Sequence, residues 1–331
     1  MLAAQTRALA ALRENARFLL VGHVRPDGDC LGAQTALARM LQTLGKEVHV
    51  VNPDPLQPQF DYLAEQCDFR AYTGGALPDH DVGVLLDFCE LERCGPMCEP
   101  LRKAPSAKMI IDHHLFHGEP WWDEAYVDAA ASATGLLVRR IARQLDVQLD
   151  RGIALGIFTS IVTDTGWFKY SNTDAETLAL AAELVELGVQ PSAMYGSIYQ
   201  RNDPRQPLAI GRALQRLEYH DGGRVALIDL PEARPDEAEL SDSDEVLDIL
   251  RAVRGVEVVL FLRETSDGKC KLSARSKGTR DVNALARRFG GGGHAKASGA
   301  TLPGPLATAK QSLIAAALAL WPPAAGGGAR R

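Results

Sequence analysis

The chain has 331 residues, 46% of them apolar and 24% charged, with a formal net charge of −6. That length asks for two domains with enough apolar material for a core in each. The negative balance excludes a protein that coats long nucleic acid with its whole surface, although a local basic site for a small anion is compatible with it. Six cysteines (Cys30, Cys67, Cys89, Cys94, Cys98 and Cys270) include no CxxC pair, and the Cys89/Cys94/Cys98 spacing matches no common zinc pattern. The N-terminal stretch carries Arg7, Arg13, Glu14 and Arg17 without an apolar signal core. The longest apolar run, Leu313 to Trp321, is too short to cross a bilayer. A reducing, cytoplasmic setting without membrane contact is the expectation.

In chain order, Arg17–Gly22 (RFLLVG) reads as a short apolar strand, followed by a polar loop. A helix comes next, with Leu37, Met40, Leu41 and Leu44 on one face and Gly45 as its stop. Glu47–Val51, Asp81–Leu86 and Lys108–Ile111 are further strands, the last two leading into acidic residues. Strands that are apolar throughout and alternate with helices predict an α/β fold, a parallel sheet covered by helices on both faces. Helices then dominate, over Ser132–Leu145 (with Ser132 or Thr134 as its cap), Arg151–Val162 and Asp174–Leu187. Pro191, Pro204 and Pro207 punctuate a boundary. Beyond it, Arg224–Leu230, a hairpin of Val256–Glu264 and Lys269–Arg275, and a helix over Leu306–Leu320 predict a smaller α+β domain. The expected division is 1–190 for a catalytic domain, 191–210 for a linker, 211–321 for a substrate-binding domain and 322–331 for a disordered Pro/Gly/Ala tail.

The placement of Asp and His carries the chemistry. His23, Asp27 and Asp29 (HVRPDGD) follow the first strand, Asp87 ends VGVLLD, and Asp112, His113 and His114 end KMIIDHH. Asp164 follows an apolar run in TDTG. Taken singly, each has a plain reading: Asp29 as a helix cap, Asp87 as a turn residue, the histidines as solvated. Together they bring carboxylates and imidazoles to one edge of one sheet, where the carboxylates would repel unless cations neutralised them. Oxygen-rich sites with one or two imidazoles suit Mn²⁺ or Mg²⁺. Two such ions about 3.5–4 Å apart activate a bridging water and clamp a phosphoryl group. In the second half, the glycines of Phe289–Ala300 (FGGGGHAKASGA) offer unobstructed backbone N–H groups to a phosphate, without the grammar of a P-loop. Arg275, Lys277 and Arg280 read either as a basic cluster beside them or as a solvated charge run.

The order HVRPDGD, VLLD, IIDHH, TDTGWFKYSNT resembles the DHH phosphoesterase superfamily, and FGGGGHAKASGA resembles its DHHA1 subgroup, nearest the nanoRNase/pAp-phosphatase (NrnA-like) group. The resemblance implies a metal-dependent phosphodiesterase or phosphatase holding two divalent ions, Mn²⁺ before Mg²⁺. It assigns His23, Asp27 and Asp87 to one ion, and Asp29, Asp87, His113 and Asp164 to the other. Asp112 would orient His113 or its neighbourhood, and His114 would face the scissile phosphate. Substrate contacts would come from Arg93, Arg275, Ser276, Gly292, Gly293 and His294. Ala33 departs from the pattern, where relatives have Ser, and His117 falls outside it as a surface residue. The implied substrates are short oligoribonucleotides, linear or cyclic dinucleotides and pAp, with a homodimer as a further expectation. Competing readings are an exonuclease of the RecJ type, a pyrophosphate or polyphosphate hydrolase, and a nucleotide sensor without chemistry.

Overall fold

A computed structural model describes residues 2–116, 118–201, 203–232 and 244–321, so the expected tail, 322–331, and His117 lie outside the described residues. The chain divides into two compact units, Met1–Arg201 and Asn202–Arg331.

Unit 1 begins with α1 (Leu2–Glu14), β1 (Arg17–Val21), α2 (Gly28–Thr43), β2 (Glu47–Asn52), β3 (Phe69–Ala71) and β4 (Val82–Leu86). It continues through α3 (Cys98–Lys103), β5 (Ala107–Asp112), β6 (Glu124–Val127), α4 (Thr134–Gln144), α5 (Arg151–Asp164), α6 (Ala175–Glu186) and α7 (Pro191–Tyr199). Its six strands run in the order β3-β2-β1-β4-β5-β6, every neighbouring pair parallel. The strands are buried on both faces with a period of two. Phe18, Leu20, Val84, Leu86, Met109 and Ile111 join one core. Leu19, Val21, Leu85 and Ile110 join another with Phe88, Met97 and Leu101. The chain leaves β1 to one side for β2 and β3, then returns to lay β4, β5 and β6 on the other. The C-terminal ends of β1 and β4 therefore border a topological switch point, the place where α/β sheets bind ligands.

Three helices close over that edge through small residues. A methyl group on Gly32 of α2 would stand 2.4 Å from the Gly156 carbonyl oxygen of α5, and one on Gly156 would stand 2.7 Å from the Gly32 oxygen. The two helices thus cross backbone to backbone. A methyl group on Gly135, in the first turn of α4, would meet the Ser160 hydroxyl at 2.2 Å. Gly45, at φ +75°, ends the α2 segment as its position in the sequence suggests.

Two boundaries differ from expectation. The stretch 191–210 is largely helical: α7 belongs to unit 1, with Tyr195 and Tyr199 packed 5.0 and 5.8 Å from the Trp167 ring. Pro191 occupies the first turn of α7, where proline starts a helix rather than breaking one. At α4 the capping position falls on Ala133, with no side-chain cap; Ser132 instead accepts a hydrogen bond from Thr177.

Unit 2 comprises α8 (Gln206–Leu214), β7 (Leu217–His220), β8 (Val225–Leu230), α9 (Asp244–Arg251), β9 (Val258–Glu264), β10 (Lys269–Ser276), α10 (Val282–Arg287), β11 (Gly292–Gly293), β12 (Ala297–Pro303) and α11 (Leu306–Leu318). Its sheet order is β11-β12-β10-β9-β8-β7, with β8 and β9 parallel and the other pairs antiparallel. Val258, Leu260 and Leu262 face α11, and Val259 and Phe261 face α9, so this sheet too is covered on both sides. Among the described residues no helix is long and apolar enough to cross a membrane.

Gly32→Ala should lower the stability of unit 1 by about 1–3 kcal/mol, the usual cost of overpacking a closed contact. Chemical denaturation of the full chain reads this, and an unchanged midpoint would show that α2 and α5 can part without cost.

Candidate metal centre

Asp27 closes the loop after β1 and caps α2, its Oδ1 accepting the backbone N–H groups of Asp29 and Cys30 at 3.0 and 3.1 Å. The capping role weighed for Asp29 thus falls to Asp27. Asp29, in the first turn of the helix, is 1% exposed and points inward. Its carboxylate accepts Thr134 N–H at 2.9 Å, Gly135 N–H at 3.4 Å and the Ser160 hydroxyl. The uncapped N-terminus of α4 is therefore satisfied by a carboxylate from another helix, in the favourable sense of the helix dipole. Asp87, 3% exposed, turns the chain after β4 at φ +69° while Thr134 Oγ1 donates to its Oδ1.

Both histidines at the centre are held by the nitrogen facing away from it. His23 Nδ1 lies 3.0 Å from Val24 O, and His113 Nδ1 lies 3.1 Å from Ala131 O. A carbonyl accepts only, so each Nδ1 carries a hydrogen and Nε2 is the nitrogen turned inward, the arrangement a metal ligand needs once Nε2 is deprotonated. His23 Nε2 is 3.5 Å from Asp87 Oδ2 and 3.9 Å from Asp27 Oδ2. His113 Nε2 is 3.3 Å from Asp29 Oδ2, 3.6 Å from Asp87 Oδ1 and 3.8 Å from Asp164 Oδ2. Neither buried Nε2 makes a directed hydrogen bond. Donor atoms that share one ion with bonds of ~2.0–2.2 Å stand about 3–4 Å apart, so these separations suit ligation better than hydrogen bonding.

The electrostatics agree. Burial and the carboxylates of Asp29, Asp27, Asp112 and Asp164 push Asp87 well above the ordinary carboxylate range. Burial and Asp29 push Asp164 up to about 7. Burial also opposes ionisation of Asp29, but His113, Ser160 and Thr134 N–H overcome it and bring its carboxyl down to about 2. For His113 burial disfavours the cation, yet Asp29 and its neighbours raise it to about 10. Without a cation the cluster must hold extra protons to offset its own repulsion; the donor set fits divalent ions.

Asp112, fully buried, is committed to His114: its Oδ1 lies 2.7 Å from His114 Nδ1 and accepts His114 N–H at 3.1 Å. Of the two expected roles, orienting His113 or its neighbourhood, Asp112 takes the second, since His113 uses Ala131 O instead. β5 ends at Asp112, and the chain bends beyond it so that both the backbone N–H and the ring of His114 return to the Asp112 carboxylate. Arg93 lies exposed in the 3-10 turn after β4. Burial chiefly disfavours protonation of His23, and the Arg93 charge adds to this.

In unit 2 the basic residues are mostly occupied. Lys277 Nζ donates to Arg251 O and Val253 O. Arg280 pairs with Glu257 at 2.8 Å and lies over the Trp321 ring. Neither belongs to an open basic cluster. Arg275 pairs with Asp244 at 2.6 Å. Ser276 is buried, its hydroxyl donating to Arg280 O and Ala295 O, so it holds the turn rather than offering that hydroxyl to a ligand. Gly292 and Gly293 form the exposed edge strand β11, with His294 exposed after it. A methyl group on Gly293 would stand 2.6 Å from Ala297 O, whereas one on Gly292 would meet open space.

Residues 17–161 match the DHH family, N-terminal domain, and residues 224–320 match the DHHA1 domain. A bifunctional oligoribonuclease and PAP phosphatase NrnA from Thermus thermophilus is 34% identical over 85% of this chain and 83% of its own length. The chain belongs to the DHH phosphoesterase family. A protein of the same name from Bacillus subtilis is 27% identical over 86% of this chain and 89% of its own. A crystal structure of an exopolyphosphatase-related protein from Bacteroides fragilis matches with a TM-score of 0.85 and 26% identity, covering 97% of this chain and 98% of that one.

Against this DHH-family frame, sequence reasoning overlooked Thr134 and Ser160 as partners of the central carboxylates, and Asn172, which donates to Asp164 Oδ2 at 3.1 Å. Only Asn172 had a local signal, eight residues past Asp164 in a polar turn; the other two lie on helices whose approach the sequence does not display.

In chelator, Asp87→Asn should match the parent in thermal stability, because a neutral amide replaces a carboxyl already driven toward its neutral form. Adding Mn²⁺ should stabilise the parent, by about 2.7 kcal/mol for one site at 100 times its dissociation constant, and the variant by much less. Equal gains in both proteins would remove Asp87 from the ligand set.

Proposed function

We propose that the chain uses two divalent ions, Mn²⁺ before Mg²⁺, to hydrolyse phosphate esters of short nucleotides: oligoribonucleotides, linear or cyclic dinucleotides, and pAp. The observation that carries this reading is Asp87. One of its oxygens faces His23 and the other faces His113, so a single carboxylate belongs to two ligand groups. His23, Asp27 and Asp87 would hold one ion; Asp29, His113 and Asp164 would hold the other, joined by Asp87, whose Oδ1 is 3.6 Å from His113 Nε2. When bound, such a pair supplies an activated water and neutralises the phosphate charge. The substrate class is supported by the names of the relatives, which act on oligoribonucleotides and PAP.

The chain's own groups do the positioning. Asp112 holds the His114 ring by Nδ1, which presents Nε2 as the hydrogen-bonding edge for the scissile phosphate. Arg93 offers a guanidinium to a phosphate oxygen. In the DHHA1 unit we assign nucleotide contacts to Arg275, His294 and the Gly292–Gly293 backbone. All six cysteines are free thiols, which supports a reducing compartment such as the cytoplasm.

Product analysis with Mn²⁺ on pAp, pApA, a short RNA ladder, cyclic di-AMP and polyphosphate tests the substrate class. Release of AMP or mononucleotides is expected. Turnover of polyphosphate alone would replace the substrate class, and no turnover of any would reject the enzyme reading. Asp87→Ala should fall below detection on every substrate. Arg275→Ala should raise KM about tenfold, the ~1.4 kcal/mol of one charge-assisted hydrogen bond. An equal loss on a minimal phosphodiester would instead make the Arg275–Asp244 pair structural.

A further inference from the structure

The Asp112 carboxylate holds the His114 ring at Nδ1 through one oxygen, and its second oxygen has a partner of its own. Cys89, two residues past Asp87, places Sγ 2.9 Å from Asp112 Oδ2, with both residues buried. An ionised carboxylate has no hydrogen to give, so the thiol donates. A separation of 2.9 Å is short for a sulfur donor, as expected when the acceptor is charged. The backbone of Cys89 is pinned in turn: Trp121 Nε1, from the loop that follows His114, donates to Cys89 O at 2.7 Å. The chain therefore ties the end of β4 to the end of β5 through a fixed series, Trp121 to Cys89, Cys89 to Asp112, Asp112 to His114.

We infer that Cys89 is a positioning residue for the reaction: its thiol fixes the rotation of the Asp112 carboxylate, and so the direction of the His114 ring. Each alternative role is filled less well. Among the described residues Cys89 forms no disulfide, and its thiol is too buried for exchange. As plain packing it would need no directed contact with a carboxylate. With the thiol removed, Oδ2 is left buried without a donor, and the carboxylate gains a reason to rotate toward another partner. This inference rests on the phosphoesterase reading for its kinetic consequence, but not for its geometric one.

Two variants separate the roles. Cys89→Ala removes the donor, and Cys89→Ser keeps a donor of similar shape. With pAp at saturating Mn²⁺, Cys89→Ala should lower kcat by about 10–100-fold, the usual effect of losing an outer partner at such a site. KM and the Mn²⁺-dependent gain in Tm should stay within twofold and 2 °C or so of the parent. Cys89→Ser should recover kcat to within about threefold, a difference under ~1 kcal/mol. In an Asp112→Ala background, Cys89→Ala should cost nothing further. The readout independent of turnover is the ¹⁵N-edited NMR signal of the His114 Nδ1–H in Mg²⁺-loaded full-length protein. Its hydrogen-bonded, slowly exchanging proton should be lost in Cys89→Ala and kept in Cys89→Ser. If the parent hydrolyses none of the substrates, the phosphoesterase reading fails and the NMR comparison still decides the role of Cys89. An unchanged His114 signal in folded Cys89→Ala, additive kinetic losses, or a serine variant as impaired as the alanine one would overturn the positioning role.

Discussion

Everything in the first unit is organised around the mutual repulsion of carboxylates. Asp27, Asp29, Asp87 and Asp164 bring ligand atoms into three overlapping groups with His23, His113 and His114, with Asp112 directly behind. Among the described residues none of the five pairs with a lysine or an arginine. A fold does not tolerate such a concentration of like charge without compensation. Two kinds are visible: the N-terminus of α4 directed at Asp29, and the proton that the surrounding carboxylates hold on His113 while no cation is bound. The rest is left to cations, which is how a repulsive cluster becomes a specific binding site.

The scaffold supplies stiffness where the chemistry needs it. Strands buried on both faces hold Asp87, Asp112 and their neighbours at fixed heights, because each strand packs into two cores at once. The glycine contacts between α2 and α5 set how far Asp29 reaches toward Ser160. Substituting a larger residue at that crossing would displace a ligand without touching the site. The positive φ at Asp87 belongs to the same economy: the chain accepts local strain to turn a carboxylate back over the strand end.

The DHHA1 unit follows a different logic. Its cations are largely spent on its own architecture, with Lys277 and Arg280 tying loops to strands and Arg224 and Arg280 over the Trp321 ring. What remains for an anion is a glycine edge with accessible backbone and a small set of side chains around it. On the proposed function, recognition there would depend on the shape of the backbone more than on net positive charge, which accords with a chain of charge −6.

The sequence by itself determined the fold class, most strand positions and which Asp and His residues gather at the C-terminal edge of the first sheet. Apolar runs of five or six residues that alternate with helices fit a parallel sheet covered on both faces, and Asp and His immediately after them then lie at its C-terminal edge. Short or amphipathic elements such as β3, β6 and β11 carry too little pattern to be read locally. Only the tertiary structure decided which partner each functional atom takes. Asp27 rather than Asp29 caps α2, Asp112 takes His114 of the two neighbouring histidines, Ser276 turns inward, and α7 extends the first unit where a linker was expected. These choices depend on side-chain direction and on distances between elements far apart in the chain. Strand register and the approach of helices set both, and neither is written in any single segment.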